Sequence, residues 1–164
     1  MLAIGIDPGT AITGYGLVQR TPAGDLLAVD WGVILTPSEM PAAERLDSIY
    51  RSLTALLQTK KPDTAAVESL YFQRNVRTAM SVGQARGVVL LALQQAGIPS
   101  TDYNPNEVKL AVSGYGAADK AQMQSMVRTL LNLPELPTPD DAADALAIAI
   151  CHLNTQRTRQ MMEP

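Results

Sequence analysis

What the 164-residue chain has little of narrows its chemistry first. It carries one cysteine, Cys151, and one histidine, His152. A lone cysteine forms no internal disulfide, which makes a reducing cytoplasm the simplest setting. With His152 as the only imidazole, no serine–histidine–acid triad is plausible. Its neighbour Cys151 reads as a packing residue, not a nucleophile. No apolar run is long enough to span a bilayer, and the N-terminus lacks a signal-peptide layout. Surplus positive charge is missing too: 13 Lys and Arg face 16 Asp and Glu, giving a net charge of −3. That argues against a uniformly basic nucleic-acid sleeve. It leaves room for a local basic groove beside an acidic, cation-loaded site.

The opening stretch, Ile4-Gly5-Ile6-Asp7-Pro8-Gly9-Thr10, organises what is present. Residues 1–6 read as a buried strand that stops at Asp7, where Pro8-Gly9 forces a turn. Gly14 to Val18 resumes a strand pattern, so the two read as a hairpin with Asp7 near its open end. Residues 26–35 give a third strand. Helical spacing follows from about Ser38 to Lys60, then a short strand, 64–67, ends at Glu68. A long helix pattern runs to Gly97, residues 98–103 read as a strand, and Asn104-Pro105 opens a short helix. Asp119 leads another helix, and a last one spans about 140–153. The order predicts an α/β fold: a mixed sheet with an antiparallel three-stranded meander and helices on both faces. Residues 1–153 read as one domain, and 154–164 as a polar, flexible tail without periodicity.

Asp7 and Glu68 each end an apolar strand. If those strands run side by side in the same direction, both carboxylates emerge at one sheet edge, where α/β ligand sites usually lie. The last helix adds Asp140, Asp141 and Asp144, and residues three and four apart share a helix face. Capping accounts for Asp140 and Asp141 after Thr138-Pro139, but not for Asp144, which lies beyond the first turn. Clustered carboxylates repel unless a cation neutralises them, and hard oxygen ligands suit magnesium or manganese. Spacing alone leaves Asp140 and Asp141 tied as the partner of Asp144.

Several blocks together resemble the RuvC family of Holliday-junction resolvases. They are Gly5-Ile6-Asp7-Pro8-Gly9-Thr10 with Thr13-Gly14-Tyr15-Gly16, then Ala66-Val67-Glu68, then residues 82–87, 126–131 and 141–149, in the family's order. The resemblance implies a ribonuclease H-like fold and a homodimer that cuts four-way DNA junctions in recombination and repair. It further implies a branch-migration motor as partner. It places four acidic metal ligands on Asp7, Glu68, Asp141 and Asp144, which breaks the tie in favour of Asp141. Lysines that assist DNA binding and catalysis fall on Lys109 and Lys120. An aromatic contact to the junction falls on Tyr71, where the commonest family residue is phenylalanine, or on the adjacent Phe72. Two Mg2+ ions per site, replaceable by Mn2+ and roughly 4 Å apart, would activate water and relieve charge on the leaving oxygen.

The remaining candidates each have two readings. Arg74, Arg77 and Arg86 either face phosphates or form a solvated helix face. Tyr71 and Phe72 either stack on unpaired bases or belong to the core. Gly83 and Gly87 permit close approach, either to the sheet or, as the resemblance implies, at or near a dimer interface. Two rival functions share the strand-ending aspartate: an actin- or sugar-kinase-like nucleotide binder, and a junction-binding protein without catalysis.

Overall fold

The computed structural model describes residues 1–69 and 76–162. Ten elements follow one another: β1 (Leu2–Asp7), β2 (Ile12–Arg20), β3 (Leu26–Leu35), α1 (Ala42–Lys60), β4 (Thr64–Glu68), α2 (Val76–Gln95), β5 (Ser100–Tyr103), α3 (Pro105–Ser113), α4 (Lys120–Leu130) and α5 (Asp140–Met162). They build one five-stranded sheet in the order β3-β2-β1-β4-β5. The first three strands are the antiparallel meander, while β4 and β5 run parallel to β1.

Period-two alternation along the strands sorts the core into two layers. Ile4, Ile6, Leu17, Ala65 and Val67 pack with Ile49, Leu53, Val89 and Leu93 of α1 and α2. Ala3, Val18 and Ala66 face the other way, into a cluster with Val108 of α3, Val127 of α4 and Leu146 and Ile150 of α5. Helix α5 is the centre of that second layer. From Ala142 to Leu153 every residue except Asp144 is buried, as expected of a helix covered by sheet on one side and helices on the other.

Two glycines set how closely α5 lies on the strands. A Cβ at Gly5 would stand 2.1 Å from the Ala145 carbonyl oxygen, and one at Gly14 2.1 Å from that of Asp141. No side chain fits either gap, so helix backbone rests directly on strand backbone. This contact lowers the start of α5 onto the end of β1. The starts of α3 and α4 are fixed by capping boxes, Asn104 with Glu107 and Asp119 with Gln122.

The structure corrects three expectations. Asp7 pairs with Gly14 beside the turn, so it sits at the closed end of the β1–β2 hairpin and not at its open end. Helix α5 does not stop at Leu153 but continues to Met162. An established helix propagates at little cost, and side chains anchor the extension: Arg20 Nη2 donates to Asn154 Oδ1 at 2.8 Å, and the Thr155 hydroxyl to the Cys151 carbonyl at 2.9 Å. His152, which the sequence places near a helix end, is instead interior and fully buried. Its ring nitrogens lie 2.8 Å from Thr64 Oγ1 and 3.1 Å from the Tyr103 hydroxyl, which ties α5 to β4 and β5. Cys151 is buried as expected, and burial pushes its thiol up to about 11, the wrong direction for a nucleophile.

Candidate active site

Parallel pairing of β1 with β4 matches Ile6 to Val67, so the next residues, Asp7 and Glu68, stand side by side where the sheet ends. Both lie on the α5 side of the sheet, two residues beyond Gly5 and Ala66. Asp141 and Asp144 come down from the first turns of α5 onto the same edge through the Gly14 contact. The sequence's four strand- and helix-borne acids are therefore brought together.

Their electrostatics show how crowded the edge is. Burial pushes the Asp7 carboxyl up to about 6, helped by the charges of Asp144 and Asp141, while a hydrogen bond from Glu68 and the charge of Lys120 act the other way. Glu68 is pushed up to about 8, by burial first and then by the charge of Asp7 and their shared hydrogen bond. Asp144 is also raised, mainly by burial. Two adjacent carboxyls cannot both ionise cheaply in a desolvated site, so without a cation the Asp7–Glu68 pair holds a proton in its shared hydrogen bond. Among the described residues, no three His, Cys, Asp or Glu side chains already enclose a point as a finished cation cage. The donor set nonetheless fits a hard divalent ion: four carboxylates, no thiolate or imidazole, and a repulsion that cations relieve.

A cleft of about 260 Å³ opens beside this edge, lined by Glu68, Asp144, Lys109 and Lys120, with Val108 and Ile148 among its apolar walls. Both expected lysines thus reach the space that the acids border. Lys120 is the first residue of α4, and its Nζ lies 2.8 Å from Asp140 Oδ2. Gln124 Nε2 donates to the other Asp140 oxygen at 2.8 Å. These two bonds hold Asp140 below the usual carboxylate range and turn it toward α4. Asp140 does not contribute to the field at Asp7, whereas Asp141 does. Both act on Asp144, Asp141 the more strongly, and contacts from α4 engage Asp140.

Of the remaining candidates, Arg86 is engaged by Asp102 of β5 at 2.5 Å. Arg77 belongs to α2. Tyr71, Phe72 and Arg74 lie outside the described residues. A Cβ at Gly87 would meet nothing within 4 Å, so Gly87 does not serve packing on the sheet. One positioning contact escapes the sequence: the Thr10 hydroxyl donates to the Ser81 carbonyl at 2.8 Å, tying the turn after Asp7 to α2. The partners are 71 residues apart, so no local pattern announces them. Gly5 and Gly14 were more legible, as glycines inside otherwise apolar strands, a common sign of close backbone approach.

Similarity to known proteins follows the same outline. The family described as Crossover junction endodeoxyribonuclease RuvC matches residues 3–152. The chain is 59% identical over 160 residues to the crossover junction endodeoxyribonuclease RuvC of Chloroflexus aggregans, covering 98% of this chain and 97% of that one. The protein of the same name from Syntrophomonas wolfei is 52% identical over 163 residues, covering 99% and 94%. A solved structure of T. thermophilus RuvC in complex with Holliday junction substrate matches with a TM-score of 0.92 and 38% identity, over 97% of this chain and 96% of that one. Likeness of this extent sets aside the nucleotide-binding rival, and the chain belongs to the RuvC family of crossover junction endodeoxyribonucleases.

Proposed function

We propose that this protein resolves four-way DNA junctions by paired phosphodiester hydrolysis, with Asp7, Glu68, Asp141 and Asp144 as the ligands of two Mg2+ ions per site. The observation that carries this reading is the convergence of four carboxylates on one sheet edge, where the raised values of Asp7, Glu68 and Asp144 mark a negative charge that a bound cation would relieve. When bound, such ions activate water and neutralise charge on the leaving oxygen, and Mn2+ can replace Mg2+. Asp7 and Glu68 hold their oxygens at the ends of neighbouring strands, and the pair gives up its proton to ionise. Asp141 and Asp144 supply the opposite wall from α5. Lys109 and Lys120 bind the phosphate oxygens from the cleft by charge-assisted hydrogen bonds. Lys120 exchanges Asp140 for phosphate with little loss, because that pair is solvent-exposed and weak.

Further parts of the reading rest on sequence pattern and family likeness. Tyr71 and Phe72 stack on unpaired bases, and Arg74 and Arg77 contact phosphates nearby. Two chains associate through α2 so that two acid clusters meet two symmetry-related phosphates, and a branch-migration motor delivers the junction in the cytoplasm. The test is incubation of the full chain with an end-labelled four-way junction, with EDTA, Mg2+ or Mn2+. Paired nicks that need the cation, together with junction binding but no cutting by Asp7→Asn, are the expected result. Incision in EDTA, or near-normal incision by Asp7→Asn, overturns the assignment.

A further inference from the structure

Asp7 stands where the hold of the sheet on β1 gives out. Pairing with β4 ends at Ile6 and Val67, and pairing with β2 ends at Asp7 and Gly14. Beyond Asp7 the chain enters the turn of residues 8–11, which other contacts must fix. Inside the turn, the hydroxyl of buried Thr13 donates to the Gly9 carbonyl at 2.7 Å. A Cβ at Gly9 would stand 2.2 Å from the Ile12 carbonyl oxygen, so no side chain fits there. These local contacts set the shape of the turn. They do not set its place relative to the rest of the molecule.

Thr10 anchors it on two sides. Its hydroxyl donates to the Ser81 carbonyl at 2.8 Å and lies 2.6 Å from the Ser81 hydroxyl, both on α2. Its carbonyl accepts from the hydroxyl of Thr36, the residue that follows β3. Thr36 is buried and is itself held by α1, where Arg45 Nε donates to its hydroxyl at 2.8 Å. The Thr36 amide also donates to the Ala11 carbonyl at 3.0 Å. The run Arg45–Thr36–Thr10–Ser81 therefore ties the turn to α1, β3 and α2, none of which bears one of the four acids. The tie reaches the chain three positions after Asp7.

We propose that Thr10 is a positioning residue for the hydrolysis: its hydroxyl, held on Ser81, fixes the turn so that the Asp7 carboxylate stays where a divalent cation needs it. The inference rests on Asp7 being a metal ligand, and Thr10 acts through Asp7, not on the phosphate. Asp141 and Asp144 crowd Asp7 with like charge, which drives it outward when the turn is free to shift. Octahedral Mg2+ and Mn2+ sites tolerate little drift, and a ligand displaced by about half an ångström binds the ion less well. Loss of the anchor therefore raises the metal requirement of cleavage, while the maximal rate returns at saturating metal.

The experiment measures Mn2+ binding to the full chain by EPR without DNA, the Mn2+ dependence of junction cleavage, and the urea midpoint in EDTA. Thr10→Val removes the hydroxyl at nearly constant volume, Thr10→Ala repeats the loss without overpacking, and Thr10→Ser keeps the donor. Asp7→Asn reports on the ligand assignment itself. Mn2+ affinity is expected to fall about fivefold in Thr10→Val and Thr10→Ala, the fold-change that one neutral hydrogen bond is worth. Half-maximal cleavage should move to higher Mn2+ by a similar factor, and Thr10→Ser should bind and cleave nearly as the parent does. Normal Mn2+ binding by Asp7→Asn overturns both the ligand assignment and this inference. Weakened binding by Asp7→Asn with normal binding by Thr10→Val and Thr10→Ala overturns this inference alone. So does a lower urea midpoint with unchanged Mn2+ affinity of the folded protein, or a Thr10→Ser protein as defective as Thr10→Val.

Discussion

Asp140 and Asp141 are chemically identical neighbours, and what separates them is which helix each one meets. Asp140 is held by Lys120 and Gln124 on α4, while Asp141 adds to the field at Asp7. Asp140→Asn is therefore expected to reduce junction cleavage only a few-fold, since asparagine keeps a polar contact to Gln124. Asp141→Asn is expected to lower it by two orders of magnitude or more, and more severely at low Mg2+. A magnesium titration of both variants checks this, and equal defects would move the ligand assignment by one residue. Spacing alone narrows the choice to two residues and the family resemblance picks Asp141; the contacts that set Asp140 apart sit on another helix and leave no local pattern. Titration provides a second check. Glu68 and Asp7 have folded values, about 8 and about 6, above their ordinary range, so the metal-free folded state holds more protons than the unfolded one. Their contribution is fully present below about pH 4 and is lost as pH rises toward 8, at a cost of several kcal/mol in all. Melting temperature in EDTA should fall across that window. Added Mg2+ should raise it most at the alkaline end, and Glu68→Gln should flatten the slope. A melting temperature in EDTA that does not change with pH would refute this account of the cluster.

At the scale of elements, local chemistry was the most legible part. The bounds of β3, the capped starts of α3 and α4, and the proline-led start of α1 follow from residues within a few positions of one another. Less legible was the far half of α5. Residues 154–162 lack an apolar stripe, because their helix is held by polar contacts such as Arg20 to Asn154 and by propagation from the buried half. Equally hidden was the turn-to-helix bond from Thr10 to Ser81. The seating of α5 on the strands gives the prediction at this scale. Gly14→Ala would drive a methyl against the Asp141 carbonyl and lift the acidic end of the helix from β1 and β2. Overpacking of this kind costs about 1–3 kcal/mol, or more where backbone must move. Cleavage should fall further than folded fraction does, because the same shift separates Asp141 from Asp7. Chemical denaturation alongside cleavage rates tests it, and an unchanged midpoint with full activity would show that the helix seats elsewhere.

For the whole molecule, the question is what brings two acid clusters to one junction. A single chain carries one cluster, and a four-way junction can present two-fold related phosphates, so paired incision calls for an isologous dimer. Helix α2 offers a surface for it. Met80 and Leu91 are 65% and 50% exposed, large apolar side chains that a lone chain leaves in water. Spacings of seven and four residues place Met80, Gly87 and Leu91 on one helical stripe, and Gly87 has open space above it. A glycine flanked by apolar side chains lets a symmetry-related helix approach closely at the middle of the stripe. Leu91→Arg would then set two like charges against each other across the axis, and is expected to convert the dimer to monomer at micromolar concentration. The carboxylates and the cleft lie at the sheet edge, away from this position, so each monomer should keep its fold and its capacity to bind Mg2+. What should be lost is the pairing of cuts: isolated nicks on one strand would replace coordinated incision of two. Sedimentation velocity and a cruciform plasmid assay separate these outcomes. A Leu91→Arg protein that sediments as a dimer, or a monomer that still linearises the plasmid in one binding event, would move the interface off α2.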